Sequence, residues 1–204
     1  MINDFIQVGG VDEIIVFQRL TPSKLQTKDW RKNQGWYKGG KKNECEKYQI
    51  RKIEKIIKTK YLKTNNDRIN TKTLQIVEKT NPLKNKNGSE WNKDGFEYTE
   101  NFDGKFENNN NIIYYNLKFV CDSGGSQTRT LREVNHFIEY QLEHIKKYNT
   151  TNIYFINILD GDTSFKAMDC FKNLIDNDKY KSIKKFIFCG DMSEFQRCWF
   201  NFHC

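Results

Sequence analysis

Ile112-Ile113-Tyr114-Tyr115-Asn116-Leu117-Lys118-Phe119-Val120-Cys121 is dense in β-branched and aromatic side chains and follows a run of four asparagines, Asn108 to Asn111. It reads as a strand. Upstream, Phe96-Glu97-Tyr98-Thr99-Glu100-Asn101-Phe102 alternates large apolar with polar side chains, and Asp103-Gly104 closes it with a turn signal, so the two segments predict an antiparallel hairpin. Downstream, Asp122-Ser123-Gly124-Gly125-Ser126 is a turn. Thr128 or Thr130 then caps a helix, and Glu133 completes a capping box with Thr130. That helix runs to about Tyr148 and would bury Leu131, Val134, Phe137, Ile138, Leu142 and Ile145. Ile153-Tyr154-Phe155-Ile156-Asn157-Ile158-Leu159 is an almost continuous apolar run, the mark of a strand covered on both faces, and it ends in Asp160-Gly161-Asp162. A helix over about 165–177 and a strand at Phe186-Ile187-Phe188-Cys189 follow. Hairpin, helix, buried strand, helix, buried strand predicts an α/β fold with a mixed central sheet flanked by helices.

The 204 residues suit a single domain, with a basic helical and loop part over about 1–80 and a core over about 94–190. Ile14-Ile15-Val16-Phe17 suggests a short strand, and Trp30, Trp36 and Tyr37 lie in an irregular basic loop. Over 44–62, Tyr48, Ile53, Ile56, Ile57 and Tyr61 recur at helical spacing with Lys and Arg between them, so an amphipathic basic helix is expected there. A loop rich in Asn, Lys and Gly occupies 80–94. The 15 Phe and 10 Tyr supply bulk that disordered chains lack. Mean hydropathy is −0.84, and no run approaches the roughly 20 apolar residues of a membrane helix. With no signal-peptide pattern at the amino terminus, a soluble intracellular protein is expected. The six cysteines are scattered without a CxxC pair, which argues against a zinc or disulfide framework, and Cys198, His203 and Cys204 lack a fourth ligand. A net charge of +8 points toward a polyanionic partner.

In a twisted hairpin, a carboxylate at one strand end and alternate residues of the next strand can meet on one side. Asp103 could then hold a hard divalent cation while Lys118 orients or activates an attacking water, as phosphodiester hydrolysis requires. Gln127, Arg129 and Arg132 follow a Gly-rich turn at a helix amino terminus, where backbone amides and arginines suit phosphate and Gln suits a base edge. His136 and His144 show no ligand pattern. Asp160 and Asp162 allow a rival reading, a Toprim-like magnesium enzyme with Glu78 as its third carboxylate. The non-catalytic alternative is a basic nucleic-acid-binding α/β module.

The Asp103 turn, the Asn116-Leu117-Lys118 strand and the helix after it resemble the catalytic core of the PD-(D/E)XK nucleases, type II restriction endonucleases in particular. The segment from Cys121 to Glu133 is similar to part of small restriction enzymes. The resemblance implies a restriction-endonuclease-like fold over about 94–190 and a Mg2+-dependent endonuclease acting on double-stranded DNA, commonly as a homodimer. It puts Asp103 in place of the motif's Asp and Lys118 in place of its Lys. Asn116 stands where the family has Asp or Glu, an amide at a ligand position. Glu133, one turn into the following helix, would complete the metal site; Glu100 and Asp122 are lesser candidates.

Overall fold

The computed structural model describes residues 19–40, 43–58, 67–78, 99–108 and 110–201. The strand expected at 14–17, the loop at 80–94, residues 96–98 of the strand expected next, the end of the basic helix beyond 58, and His203 and Cys204 lie outside them. The described residues form, in chain order, α1 (Lys28–Lys32), α2 (Glu44–Ile57), β1 (Asp67–Asn70), β2 (Ile76–Glu78), β3 (Thr99–Asn101), β4 (Gly104–Asn108), β5 (Asn111–Phe119), α3 (Gly125–Tyr148), β6 (Ile153–Asp160), α4 (Asp162–Ile175), β7 (Ile187–Gly190) and α5 (Met192–Asn201).

The central sheet has the order β4-β5-β6-β7, with β4 antiparallel to β5 and both β5/β6 and β6/β7 parallel. It is the mixed sheet expected. Helices α3 and α4 cover one face: Val134, Phe137, Ile138, Leu142, Met168 and Phe171 pack on Tyr114, Phe155 and Leu159. Helices α2 and α5 cover the other, where Ile53, Ile56, Met192 and Phe195 meet Ile113, Tyr115, Leu117, Ile156 and Ile158. Alternate residues of β5 and β6 therefore serve opposite cores, which explains why both strands are so continuously apolar. Among the described residues, no helix is long and apolar enough to cross a membrane.

Three expectations are corrected. Asp103-Gly104 does not close the hairpin: Asn108 pairs with Asn111, so the asparagine run makes the turn and Gly104 opens β4 opposite Tyr115. Residues 102–103 are instead the place where the chain leaves one sheet for the other, since β3 pairs with β1 and β4 with β5. A separate antiparallel sheet, β2-β1-β3, adds two strands over 67–78 where none was expected, its strands being only three or four residues long. The capping box of α3 is also absent. The helix starts at Gly125 with Gly124 before it and no side-chain cap, and Thr130 Oγ1 donates instead to the Ser126 carbonyl one turn back (3.0 Å). Helix α5, which was not anticipated, closes the α2 face.

A cluster of amides lies inside this apolar frame. Asn116 Nδ2 donates to Asn157 Oδ1 (2.9 Å) and Asn157 Nδ2 to Gln141 Oε1 (2.8 Å), while Gln141 Nε2 also reaches Asn157 Oδ1 (3.2 Å). All three side chains are buried. Asn157 is the shared member, so removing it strands polar groups on two elements, at about 1–3 kcal/mol for each group left unpaired. Chemical denaturation of Asn157→Leu is expected to show a loss of roughly 2–4 kcal/mol; a loss under about 0.5 kcal/mol, the usual surface value, would mean that the cluster contributes nothing to stability.

Candidate functional site

Two backbone anchors fix the junction between the sheets: Phe102 N donates to the Asp67 carbonyl (3.3 Å) and Asp103 N to the Tyr115 carbonyl (2.8 Å). The Phe102 ring is buried against Tyr114, Phe137 and Phe155. Asp103 is thereby held beside β5, where its Oδ2 accepts from Leu117 N (2.7 Å) and from Lys118 Nζ (3.3 Å). The carboxylate and the ammonium are both half-buried. The pairing expected from hairpin geometry is present, although the hairpin is built one element later than the sequence suggested.

More carboxylates crowd this pair. Burial and the neighbouring Asp103 carboxylate push Glu46, in the first turn of α2, above the usual carboxylate range, and Lys118 opposes the rise. Glu100, on β3, is pushed up by desolvation and by Glu133, again with Lys118 opposing. Lys118 thus lies within electrostatic reach of Asp103, Glu46 and Glu100. Sequence reasoning missed Glu46, because its helix was read as a solvated basic face. The available signal was that Glu44 and Glu46 put two acids into the first turn of an otherwise basic helix.

Other expected residues sit apart. Asn116 is 1% exposed, its amide nitrogen committed to Asn157, and its Oδ1 has no hydrogen-bond partner among the described residues. Glu133 is engaged by Arg129 Nε (2.8 Å), a pairing along the exposed face of α3. Gln127 Oε1 accepts from Ser126 Oγ (2.8 Å), and Arg132 stands exposed on the same helix. The structure therefore brings Asp103 and Lys118 together but does not gather Asn116 and Glu133 with them. Among the described residues, no three His, Cys, Asp or Glu side chains converge closely enough to hold a metal ion. Asp122 forms an ion pair with Lys28 (2.5 Å). His136 is exposed beside Glu139 (3.9 Å), whereas His144 is buried with Nδ1 2.7 Å from the Leu74 carbonyl, and burial lowers its affinity for a proton.

The Asp160-Gly161-Asp162 turn is built differently from an open metal site. Asp160 is 0% exposed; Oδ1 accepts from Met192 N (3.1 Å) and Oδ2 from Gln49 Nε2 (2.9 Å). Asp162 opens α4, and its backbone N–H donates to the Gln26 carbonyl (3.1 Å). One carboxylate is sealed in the core while the other begins a helix, so the pair does not face a common cation.

On the outer side of α2, Trp36 stacks on Tyr48 (4.5 Å between ring centroids) beside Arg51, Lys52 and Lys55, in a groove of about 580 Å³. Burial and the neighbouring Lys55 and Arg51 charges lower the Lys52 pKa, so cations there repel one another without full compensation. Trp36 Nε1 is buried without an acceptor among the described residues.

Burial raises the Asp160 carboxyl from 3.8 to about 7, with a further push from Asp191 and opposition from its hydrogen bonds. The folded state then holds a proton that the unfolded chain releases, so this group's contribution is complete below about pH 4 and is lost as pH climbs to about 7. Wild type should fall relative to Asp160→Asn across that window, by on the order of 4 kcal/mol at most. Denaturant titrations at pH 4, 5.5 and 7 measure the difference, and a constant gap would mean that Asp160 ionises normally.

No family model, no curated protein and no solved structure matches this chain, so the function is argued from the site's own geometry.

Proposed function

We propose that the chain is a Mg2+-dependent endonuclease of restriction-endonuclease-like fold, hydrolysing phosphodiester bonds in double-stranded DNA. The observation that carries this reading is the Asp103 carboxylate, 3.3 Å from Lys118 Nζ and pinned by Leu117 N, with Glu46 within its electrostatic reach. The donor set fits a hard cation, since Mg2+ is commonly bound through one or two carboxylates with water and substrate oxygens completing its shell. Asp103 and Glu46 would hold it, and when bound it would supply positive charge to phosphate oxygens as negative charge develops there.

Lys118 has two tasks in this reading. Its ammonium keeps the Asp103 carboxylate oriented, and its remaining protons can hold the oxygen of an attacking water in line with the phosphorus. Gln127 and Arg132 at the start of α3 would meet the DNA, with Arg129 held by Glu133 beside them. Arg51, Lys52 and Lys55 would follow the phosphate backbone away from the site. A symmetric pair of chains would cut both strands of a palindromic site.

One observation favours the non-catalytic binding module as a second reading: the position two residues before Lys118 is an amide locked into the core by Asn157. Cleavage separates the two. With plasmid DNA and millimolar Mg2+, Lys118→Ala and Asp103→Asn are each expected to lose about a hundredfold or more in rate, as removal of a positioned catalytic group does. Glu46→Gln should lose a comparable factor, while Glu133→Gln should stay within about threefold. Wild type inactive across Mg2+ and Mn2+ would leave the binding module as the reading.

The basic face has its own readout. Reversing Arg51 and Lys55 to Glu should weaken DNA binding for every sequence alike and reduce the slope of log K against log salt by about one per lost phosphate contact. An unchanged slope would remove α2 from the interface.

A further inference from the structure

Beside Lys118 lies a cavity of about 460 Å³, walled by α1, the first turns of α2 and α3, and the end of β5. Its volume is within the range of sites that take small organic ligands. Two buried polar atoms of opposite kind belong to residues lining it, and neither has a hydrogen-bond partner among the described residues: Gln49 Oε1, an acceptor, and Arg31 Nε, a donor.

The Gln49 amide cannot be turned to relieve this. Gln49 is 0% exposed, and its Nε2 donates to Asp160 Oδ2 (2.9 Å), the Lys118 carbonyl (3.1 Å) and the Ile158 carbonyl (3.4 Å). Flipping the amide would set its oxygen against the Lys118 and Ile158 carbonyls, which can only accept, so Oε1 stays where it is and calls for an N–H or O–H donor. A buried acceptor left without a donor costs about 1–3 kcal/mol, which a bound ligand or water would recover.

Arg31 makes the complementary demand. Its guanidinium lies 5.0 Å from the Tyr37 ring centroid, and no carboxylate pairs with it among the described residues, whereas Lys28 has Asp122 and Lys118 has Asp103. The first turn of α3 reaches the same cavity through Ser126 and Gln127, and no side chain caps that 24-residue helix. An uncapped helix amino terminus beside an arginine that makes no direct ion pair among the described residues suits an anion, and phosphate well. A nucleotide brings both an anionic oxygen and an N–H or O–H donor at this size, and it is the ligand that the adjacent Lys118 site would present.

We propose that this cavity is a nucleotide subsite: it takes one nucleotide of the substrate strand beside the cleaved phosphate, its phosphate on Arg31 and the α3 amino terminus, its base or sugar donor on Gln49 Oε1. The assignment to a substrate strand rests on the nuclease reading, through the shared residue Lys118. The chemistry of the cavity does not.

Calorimetric titration of the full chain without divalent cation tests it, with thymidine 5′-monophosphate, thymidine, inorganic phosphate and a 5′-phosphorylated thymidine tetranucleotide as probes. The monophosphate is expected to bind at least tenfold more tightly than thymidine or phosphate, and the tetranucleotide at least tenfold more tightly again. Arg31→Ala should weaken nucleotide binding about tenfold and Arg31→Lys by less, with Lys166→Ala, an exposed change on α4, leaving it unaltered. No binding by wild type, or phosphate binding as tightly as the nucleotide, overturns the proposal. Equal affinity for mononucleotide and tetranucleotide overturns the strand assignment and gives the site to a free nucleotide. Because binding is read without cleavage, an inactive enzyme that binds the nucleotide removes only the nuclease reading, and an active enzyme that does not bind it removes only this one.

Discussion

The parallel pairing of β5 with β6, in register from Ile112 opposite Ile153 to Phe119 opposite Asp160, is the constraint on which the other elements depend. Parallel neighbours need a crossover, and α3 supplies it, burying Val134, Phe137, Ile138 and Leu142 over the face it crosses. The same pairing brings the carboxyl ends of both strands to one edge of the sheet, where an open α/β sheet places its ligands. That edge is closed by backbone. The Val120 carbonyl accepts from Thr163 N and Ser164 N, and Gly161 turns above it at φ +95°, where an added Cβ would lie 2.2 Å from the Val120 oxygen. Only glycine fits there.

The sequence made the long elements legible because their signals are strong and local. The unbroken apolar run of β6 and the helical spacing through α3 each determine an element without reference to anything distant, and the alternation of large side chains in β5 lets its two faces be assigned. Failure came where long-range partners decide. Strands β1 and β2 are only three or four residues long, too short for a clear alternation, and β1 also owes its place to register with β3 across about thirty residues of chain, which no window of sequence contains. The hairpin turn was misplaced for a related reason: Asp-Gly is a good local turn, but Asp103 is held at the sheet junction by Tyr115 and Leu117, and the asparagines were left to reverse the chain. At the site, spacing within one hairpin made Asp103 and Lys118 readable. Glu46, Gln49 and Arg31 come from elements far away in sequence and were not.

The early part of the chain does more than carry charge. Ser23 donates to Asp191 Oδ2 through both its backbone nitrogen and its hydroxyl (2.8 Å each), Gln26 Oε1 accepts from Gly161 N (2.8 Å), and Gln49 bonds Asp160. Each contact lands just after the carboxyl end of a strand. Burial alone would raise the Asp191 carboxyl, yet hydrogen bonds from Ser23, Ser193 Oγ and Glu194 N hold it below the usual range. Asp160, with fewer donors, goes the other way. Two buried acids at adjacent strand ends are thus shifted in opposite directions, Asp160 upward by its complete burial and Asp191 downward by its larger set of hydrogen bonds, with Ser23, Gln26 and Gln49 among the donors.

Charge at the site opposes the charge of the chain as a whole. Glu46, Asp103 and Glu100 lie within electrostatic reach of one ammonium, Lys118, while surplus cations stand on α2 at Arg51, Lys52 and Lys55. A DNA duplex would be drawn in by the distant field and repelled by the carboxylates at the point of chemistry, since screening is weak inside a Debye length of about 8–10 Å. Lys118 alone cannot reverse that local sign, because its charge is already matched by Asp103. Under the nuclease reading, a divalent cation held by Asp103 and Glu46 would supply the missing positive charge, and it would offset the burial and carboxylate repulsion that raise Glu46. A binding module would have no comparable use for acids at that place, since there they only oppose the approach of a phosphate.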